Sequence, residues 1–456
     1  MRLVFTLICW LLSCAAFSQQ DNVYHFKTNS DVVKISLGKS SSNWRLGNSK
    51  KLELLELALD SAVQLHFISD IDSISFAINI NEEKLVYAIL NKEDSFGVKI
   101  IGYKYVNSAS FSPEYIKEHT GKVFMEIPEV QELVHIIIAL TSTASLNPNL
   151  VEKNTTYYKD VMKWFGKYAS HPTVLLIDSL LKENQYHNIK MNSCVFQFKG
   201  QQIVEGGVYE RISFGKRNTI RPFLQQLQEF STATRFRRFY KAHRAYYTSL
   251  LKAQHNYVNT KQMWEWLEKE FPDRYDSYKI TFSPLVFGNH STQRFDANGF
   301  RETVMFIAPP DTTAGWRKYV KGGLPGFEGE LARIVFTEID HNYVNPISDN
   351  YKEQIDVAFN NKAKWATEQA IANYRSTYAI FNEYMTWAVF ALYLHDHYSK
   401  EDFDVINNNM NQLMKERGFL LFDTFSDKLL QLYISKASMQ SVIGLYPLII
   451  DWSREQ

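Results

Sequence analysis

The pattern of apolar residues changes at Pro128, and no other feature of this 456-residue chain constrains its fold more. Before that point apolar residues fall in short runs. Residues 32–37 alternate and predict a strand, and residues 84–90 and 97–105 also look extended. Leu52, Leu54, Leu55, Leu57 and Leu59 stand at mixed spacing and predict a helix over 51–65. After Pro128 the spacing becomes helical. Val130, Leu133, Val134 and Ile137 recur at helical intervals behind Pro128-Glu129, and a first-turn proline with an acid beside it suits a helix start. Further helices are predicted over 157–168, 172–181, 327–344, 363–398 and 402–435, and with breaks over 220–259. Residues 278–285 and 304–308 predict strands separated by a turn region. Gly322-Gly323-Leu324-Pro325-Gly326 is the strongest breaker, and Asn345-Pro346 predicts the end of the helix that follows it.

The fold class that follows is α+β. A mixed α/β N-terminal region, residues 19–127, precedes a mainly helical region, residues 128–456, that carries a small β-sheet. Length alone suggests two or three domains. Aromatic residues make up 14% of the chain, against only 19 Gly and 12 Pro, which excludes a disordered or collagen-like polymer. The 50 Lys+Arg and 49 Asp+Glu nearly cancel. That balance argues against a dedicated nucleic-acid binder, which needs a basic surplus, and against polybasic attachment to an anionic membrane.

Residues 1–18 predict a secretory signal peptide. Met1-Arg2 is a basic start, residues 3–12 are an apolar run too short to span a bilayer comfortably, and Ala16-Phe17-Ser18 offers small residues for cleavage. Export to the periplasm or the extracellular space is the expectation. The minority alternative is a lipoprotein signal, in which Leu11-Leu12-Ser13-Cys14 would leave Cys14 acylated. Cys9 and Cys14 leave with a cleaved signal, so Cys194 stands alone and forms no intramolecular disulfide. No later run is long enough for a transmembrane helix.

The segment that bears chemistry is Thr337-Glu338-Ile339-Asp340-His341, on a predicted helix. Two His at i and i+4 with an intervening Glu, H-E-x-x-H, hold Zn²⁺ on one helical face and place a general base beside the metal-bound water. Here only Glu338 and His341 keep that spelling, and E-x-x-H also arises by chance as a solvated Glu beside a capping or core His. About forty residues on, Glu383 lies in an apolar-aromatic helical stretch, Phe381-Asn382-Glu383-Tyr384-Met385-Thr386-Trp387. A carboxylate there is costly to bury unless it is paired or bound to a cation. His395-Asp396-His397, the glycine-rich 322–326 turn as an anion cradle, and the Arg235-Phe236-Arg237-Arg238 cluster as a stacking surface are weaker signals.

These residues carry a resemblance. Residues 335–346, Val-Phe-Thr-Glu-Ile-Asp-His-Asn-Tyr-Val-Asn-Pro, and the Glu383 helix resemble the DUF4932 family of exported Bacteroidetes proteins, which is similar to gluzincin metallopeptidases. The patches 239–247 and 283–290 support it. The resemblance implies Glu338 as catalytic base, His341 as second zinc ligand and Glu383 as third ligand. Thr337 stands where the first His ligand belongs, and a hydroxyl is a poor zinc ligand. Either another residue replaces it, with His243 and His290 as candidates, or the site no longer binds zinc. A Tyr or His near the site, His243 being the named candidate, would stabilise an oxyanion. Two functions are therefore expected: an exported zincin-like metallohydrolase acting on peptide or protein substrates through a degenerate T-E-x-x-H site, or an inactive pseudoenzyme of that fold binding a peptide or glycan at the cell envelope.

Overall fold

The computed structural model describes residues 22–456 apart from 39, 48–51, 60, 81, 93, 104–108, 214, 216, 312–320 and 438–439. The predicted signal peptide and Cys14 lie outside the described residues. The chain forms two compact units, residues 1–106 and 107–456, each with its own hydrophobic core.

In the first unit every described regular element is a strand. The eight strands are β1 (Val23–Thr28), β2 (Val32–Leu37), β3 (Ser40–Arg45), β4 (Glu53–Ala58), β5 (Val63–Ile68), β6 (Ser73–Ile78), β7 (Glu83–Leu90) and β8 (Asp94–Tyr103). They make two four-stranded sheets, ordered β1-β7-β8-β4 and β3-β2-β5-β6. Phe26, Val86 and Ile100 from one sheet share a core with Val33, Leu65 and Phe67 from the other. The helix expected over 51–65 is absent. In β4 the side chains alternate, with Leu55 and Leu57 turned inward and Leu54 60% exposed, so the period is two and the extra leucines lie on the solvent face.

The second unit is mainly helical. Its four-stranded sheet runs β13-β14-β12-β9, from β9 (Lys122–Glu126), β12 (Ser277–Phe282), β13 (Ser291–Ala297) and β14 (Phe300–Ile307). β10 (Phe196–Lys199) and β11 (Gln202–Glu205) form a separate hairpin. β9, β12 and β14 are parallel, and β13 closes one edge antiparallel to β14. β9 belongs to this sheet, so the boundary expected after residue 127 falls inside the second unit. β13 occupies part of the predicted turn region. Its alternation is blurred because Thr292, Gln293 and Arg294 follow one another on a half-exposed edge.

The site is positioned by five helices: α1 (Glu129–Ala139), α2 (Tyr186–Asn192), α3 (Gly323–Ser348), α4 (Thr377–His397) and α5 (Lys400–Glu416). α3 packs on α4, α5, β13 and β14. Gly322 starts it from a φ of +88°, and a Cβ at Gly329 would come 2.3 Å from Ile406 on α5, so both glycines are needed where they stand. On its other side Asn342 donates to Thr303 on β14 at 2.7 Å and Thr292 on β13 at 3.1 Å, which ties the helix to the sheet.

Contrary to the expectation from Asn345-Pro346, α3 continues through Pro346 to Ser348. A proline inside a helix removes the N–H that would bond the carbonyl four residues earlier. Here that carbonyl, of Asn342, accepts from the Tyr275 hydroxyl at 3.2 Å. Tyr446 and Tyr378 donate to the neighbouring carbonyls of Val344 and Asn345, at 3.1 and 3.2 Å. Side chains from elsewhere in the fold replace the bond that local sequence removes.

Candidate functional site

A cleft of about 780 Å³ opens in the second unit. Thr337, Glu338 and His341 line it from α3, Glu383 and Trp387 from α4, and Arg417 from the end of α5. Ser291 to Arg294 of β13 and the preceding Asn289 and His290 form the facing wall. Three predicted site residues distant in sequence, Glu338, His341 and Glu383, thus share one cavity.

Their partners define what the cavity can do. His341 Nε2 lies 3.8 Å from Glu383 Oε1. The other oxygen of Glu383 accepts from Arg417 at 2.8 Å, and the same Arg417 nitrogen donates to the Tyr374 hydroxyl at 2.6 Å. Arg333, one helical turn before Thr337, holds Glu330 through two bonds, its Nε lying 2.8 Å from Oε2. Arg333 and Arg417 each place the guanidinium carbon 4.4 Å from the Trp387 ring centre, a cation–π arrangement.

Behind the cleft, α2 buries Lys190 completely. Its ammonium donates to the carbonyls of Asn289 at 2.5 Å and Phe306 at 3.4 Å. Burial pushes this ammonium down to about 7, while the Glu338 carboxylate opposes the shift. Burial likewise raises the Glu338 carboxyl above its usual range, although His341 and Lys190 pull it back. His290 is held well below its ordinary value, first by burial and then by the charges of Lys190, Arg333 and Arg417. It is a neutral ring, and its Nε2 is buried without a hydrogen-bond partner.

The donor set does not fit a catalytic zinc ion. Such an ion takes three protein ligands and a water. Thr337 donates its hydroxyl to the Arg333 carbonyl at 2.9 Å. Glu383 is engaged by a guanidinium, which repels a second cation. Among the described residues, no group of three or more His, Cys, Asp or Glu side chains is arranged to hold a metal. Thr337, His341 and Glu383 are therefore cleft residues without the coordination that the resemblance implies.

His243 also requires correction, both as a catalytic group and as a substitute ligand. It does not line the cleft. Its Nδ1 lies 2.9 Å from the Phe239 carbonyl and its Nε2 3.4 Å from Asp160, with Tyr157 and Phe239 packed on the ring. His290 does line the cleft. Asp340 lies on the buried side of α3, fully enclosed, and burial raises its carboxyl well above the ordinary range. In the 395–397 cluster, Asp396 accepts from Trp266 at 2.8 Å and Tyr433 at 2.6 Å, a structural role. Arg237 pairs with Glu129 and stacks on Phe198.

Lys190, Arg333, Trp387 and Arg417 were not singled out from sequence. Arg333 had a usable signal: it stands four residues before Thr337, on the same helical face. Arg417, after α5, had none, since only the packing of α5 on α3 and α4 brings it in. Comparison of the chain with protein-family models, with curated proteins and with solved structures finds no match.

Proposed function

We propose that this is an exported peptide-binding protein whose cleft keeps the wall of a zincin-like metallopeptidase and works without its metal. The observation that carries this reading is the Arg417–Glu383 ion pair: the carboxylate that would complete a zinc site is held by a guanidinium instead. The engaged hydroxyl of Thr337 supports it. A peptide is favoured over a glycan by β13. That strand hydrogen-bonds to β14 alone in its sheet, and residues 291–294 face the cleft. An extended ligand can add to such an edge through main-chain hydrogen bonds.

The hydrolytic reading rests on one observation, that Glu338, His341 and Glu383 share the cavity. Metal content separates the two. After equilibration with zinc and desalting, elemental analysis is expected to find substoichiometric zinc in the wild type. Thr337→His combined with Arg417→Ala, which restores the missing ligand and frees Glu383, should take up about one zinc per chain. About one zinc in the wild type, lost in His341→Ala, would overturn the metal-free reading and establish the hydrolytic one.

A further inference from the structure

We infer that the cleft anchors its ligand by a carboxylate, received at the end where Arg333 and Arg417 flank Trp387 beside His290; this rests on the peptide-binding reading above. Both guanidiniums are oriented before any ligand arrives. Arg333 uses Nε and Nη2 on Glu330, and Arg417 uses Nη2 on Glu383 and Tyr374 and Nη1 on the sulfur of Met414. The Nη1 group of Arg333 and the Nε–H of Arg417 have no acceptor among the described residues. A guanidinium whose plane is fixed by an aromatic ring and a carboxylate, with N–H groups to spare, is suited to receiving a second carboxylate. Arg417 is the accessible one of the two, its side chain 27% exposed against 8% for Arg333.

The charge balance points the same way. Glu330 and Glu383 are matched by the two arginines, Lys190 behind the wall stands against Glu338, and Arg294 adds a further cation to the lining. His290 offers a buried, unpartnered ring nitrogen that donates to an oxygen in its Nε2–H tautomer. An amine would find every lining carboxylate already beside a cation, Glu338 included through Lys190.

The carboxylate could be a chain terminus or an Asp or Glu side chain, and the test distinguishes them. Three pools of random hexapeptides would be passed over the immobilised chain from residue 19 onward: acid-terminated without Asp or Glu, amide-terminated with one Asp or Glu, and amide-terminated with neither. Retention is read by mass spectrometry. At least one carboxylate pool should be retained roughly tenfold or more over the neutral pool, since an ion pair desolvated in a cleft is worth that much or more. Arg417→Gln should abolish the difference, and Arg417→Lys should restore part of it, with unfolding curves confirming that both variants fold. Equal retention of all three pools would overturn the carboxylate anchor and leave the peptide reading standing. No retention of any pool would overturn both.

Discussion

The two units of this chain bury different kinds of residue. Among the described residues of the first, the core is apolar, and the buried polar residues are Thr28 and Lys84, the latter paired with Glu82 at 3.0 Å. The second encloses Glu132, His135, Lys190, Glu270, Glu302 and Asp340. Burying an ionisable group is costly and has to be offset by partners or by a shift to the neutral form. The first unit largely avoids that cost. The helical unit bears it repeatedly, and two of these groups, Lys190 and Asp340, stand electrostatically close to Glu338. The buried ionisable groups and the cleft beside them both lie in residues 107–456.

The sharpest way to break this comparison is to damage each core separately. Phe336 is fully buried against Trp266, Phe390 and Tyr393, and Phe67 is fully buried between the two sheets of the first unit. Each Phe→Ala change should cost about 3–5 kcal/mol. In calorimetry, Phe67→Ala should lower a transition that leaves peptide retention by the cleft intact, whereas Phe336→Ala should lower the transition on which that retention depends. One shared transition lowered equally by both would show that the units fold as one.

A slightly smaller effect should appear in the pH dependence of stability. Burial raises the Glu132 carboxyl from 4.5 to about 7, against the bond it accepts from Tyr157 at 2.7 Å. Between those values the folded chain retains a proton that the unfolded chain releases. The stabilisation is complete below about pH 4.5 and is lost as pH rises through about 7, a change of about 3 kcal/mol. Glu132→Gln should flatten the denaturant midpoint across that window. An unchanged slope would mean the carboxyl is not desolvated as the fold implies. The first unit should show the weakest electrostatics: a double-mutant cycle on Lys84 and Glu82 should give under about 1 kcal/mol of coupling, because Glu82 is partly exposed.

Sequence reasoning did well where one period governs a whole element. The helix at 129–139 and the strand at 32–37 lie where the spacing places them. It failed where tertiary contacts outvote local preference. The leucines around β4 suggest a helix because Leu52, just before the strand, and Leu54 within it are exposed and add apolar residues to the inward-facing ones. Pro346 suggested a stop because the tyrosines that replace its missing bond come from distant positions. In the site, Glu338, His341 and Glu383 were legible from a spelling, and the structure gathers them in one cleft. Arg417 was not legible, although it decides what Glu383 does, because an ion pair between two helices leaves no mark in either segment.

The three phenol hydroxyls that donate to the last carbonyls of α3 bear on how firmly the cleft is held. Tyr275, Tyr378 and Tyr446 are anchored in three different segments, so fraying the tail of α3 costs a tertiary bond at each of three carbonyls. Opening it requires breaking bonds to all three segments, which native-state hydrogen exchange would register as slow amides around residues 342–348. The wall bearing Glu338 and His341 is therefore a fixed one. The facing strand β13 is joined to that wall through Asn342 and Thr292, so the two sides of the cleft are held at a set spacing.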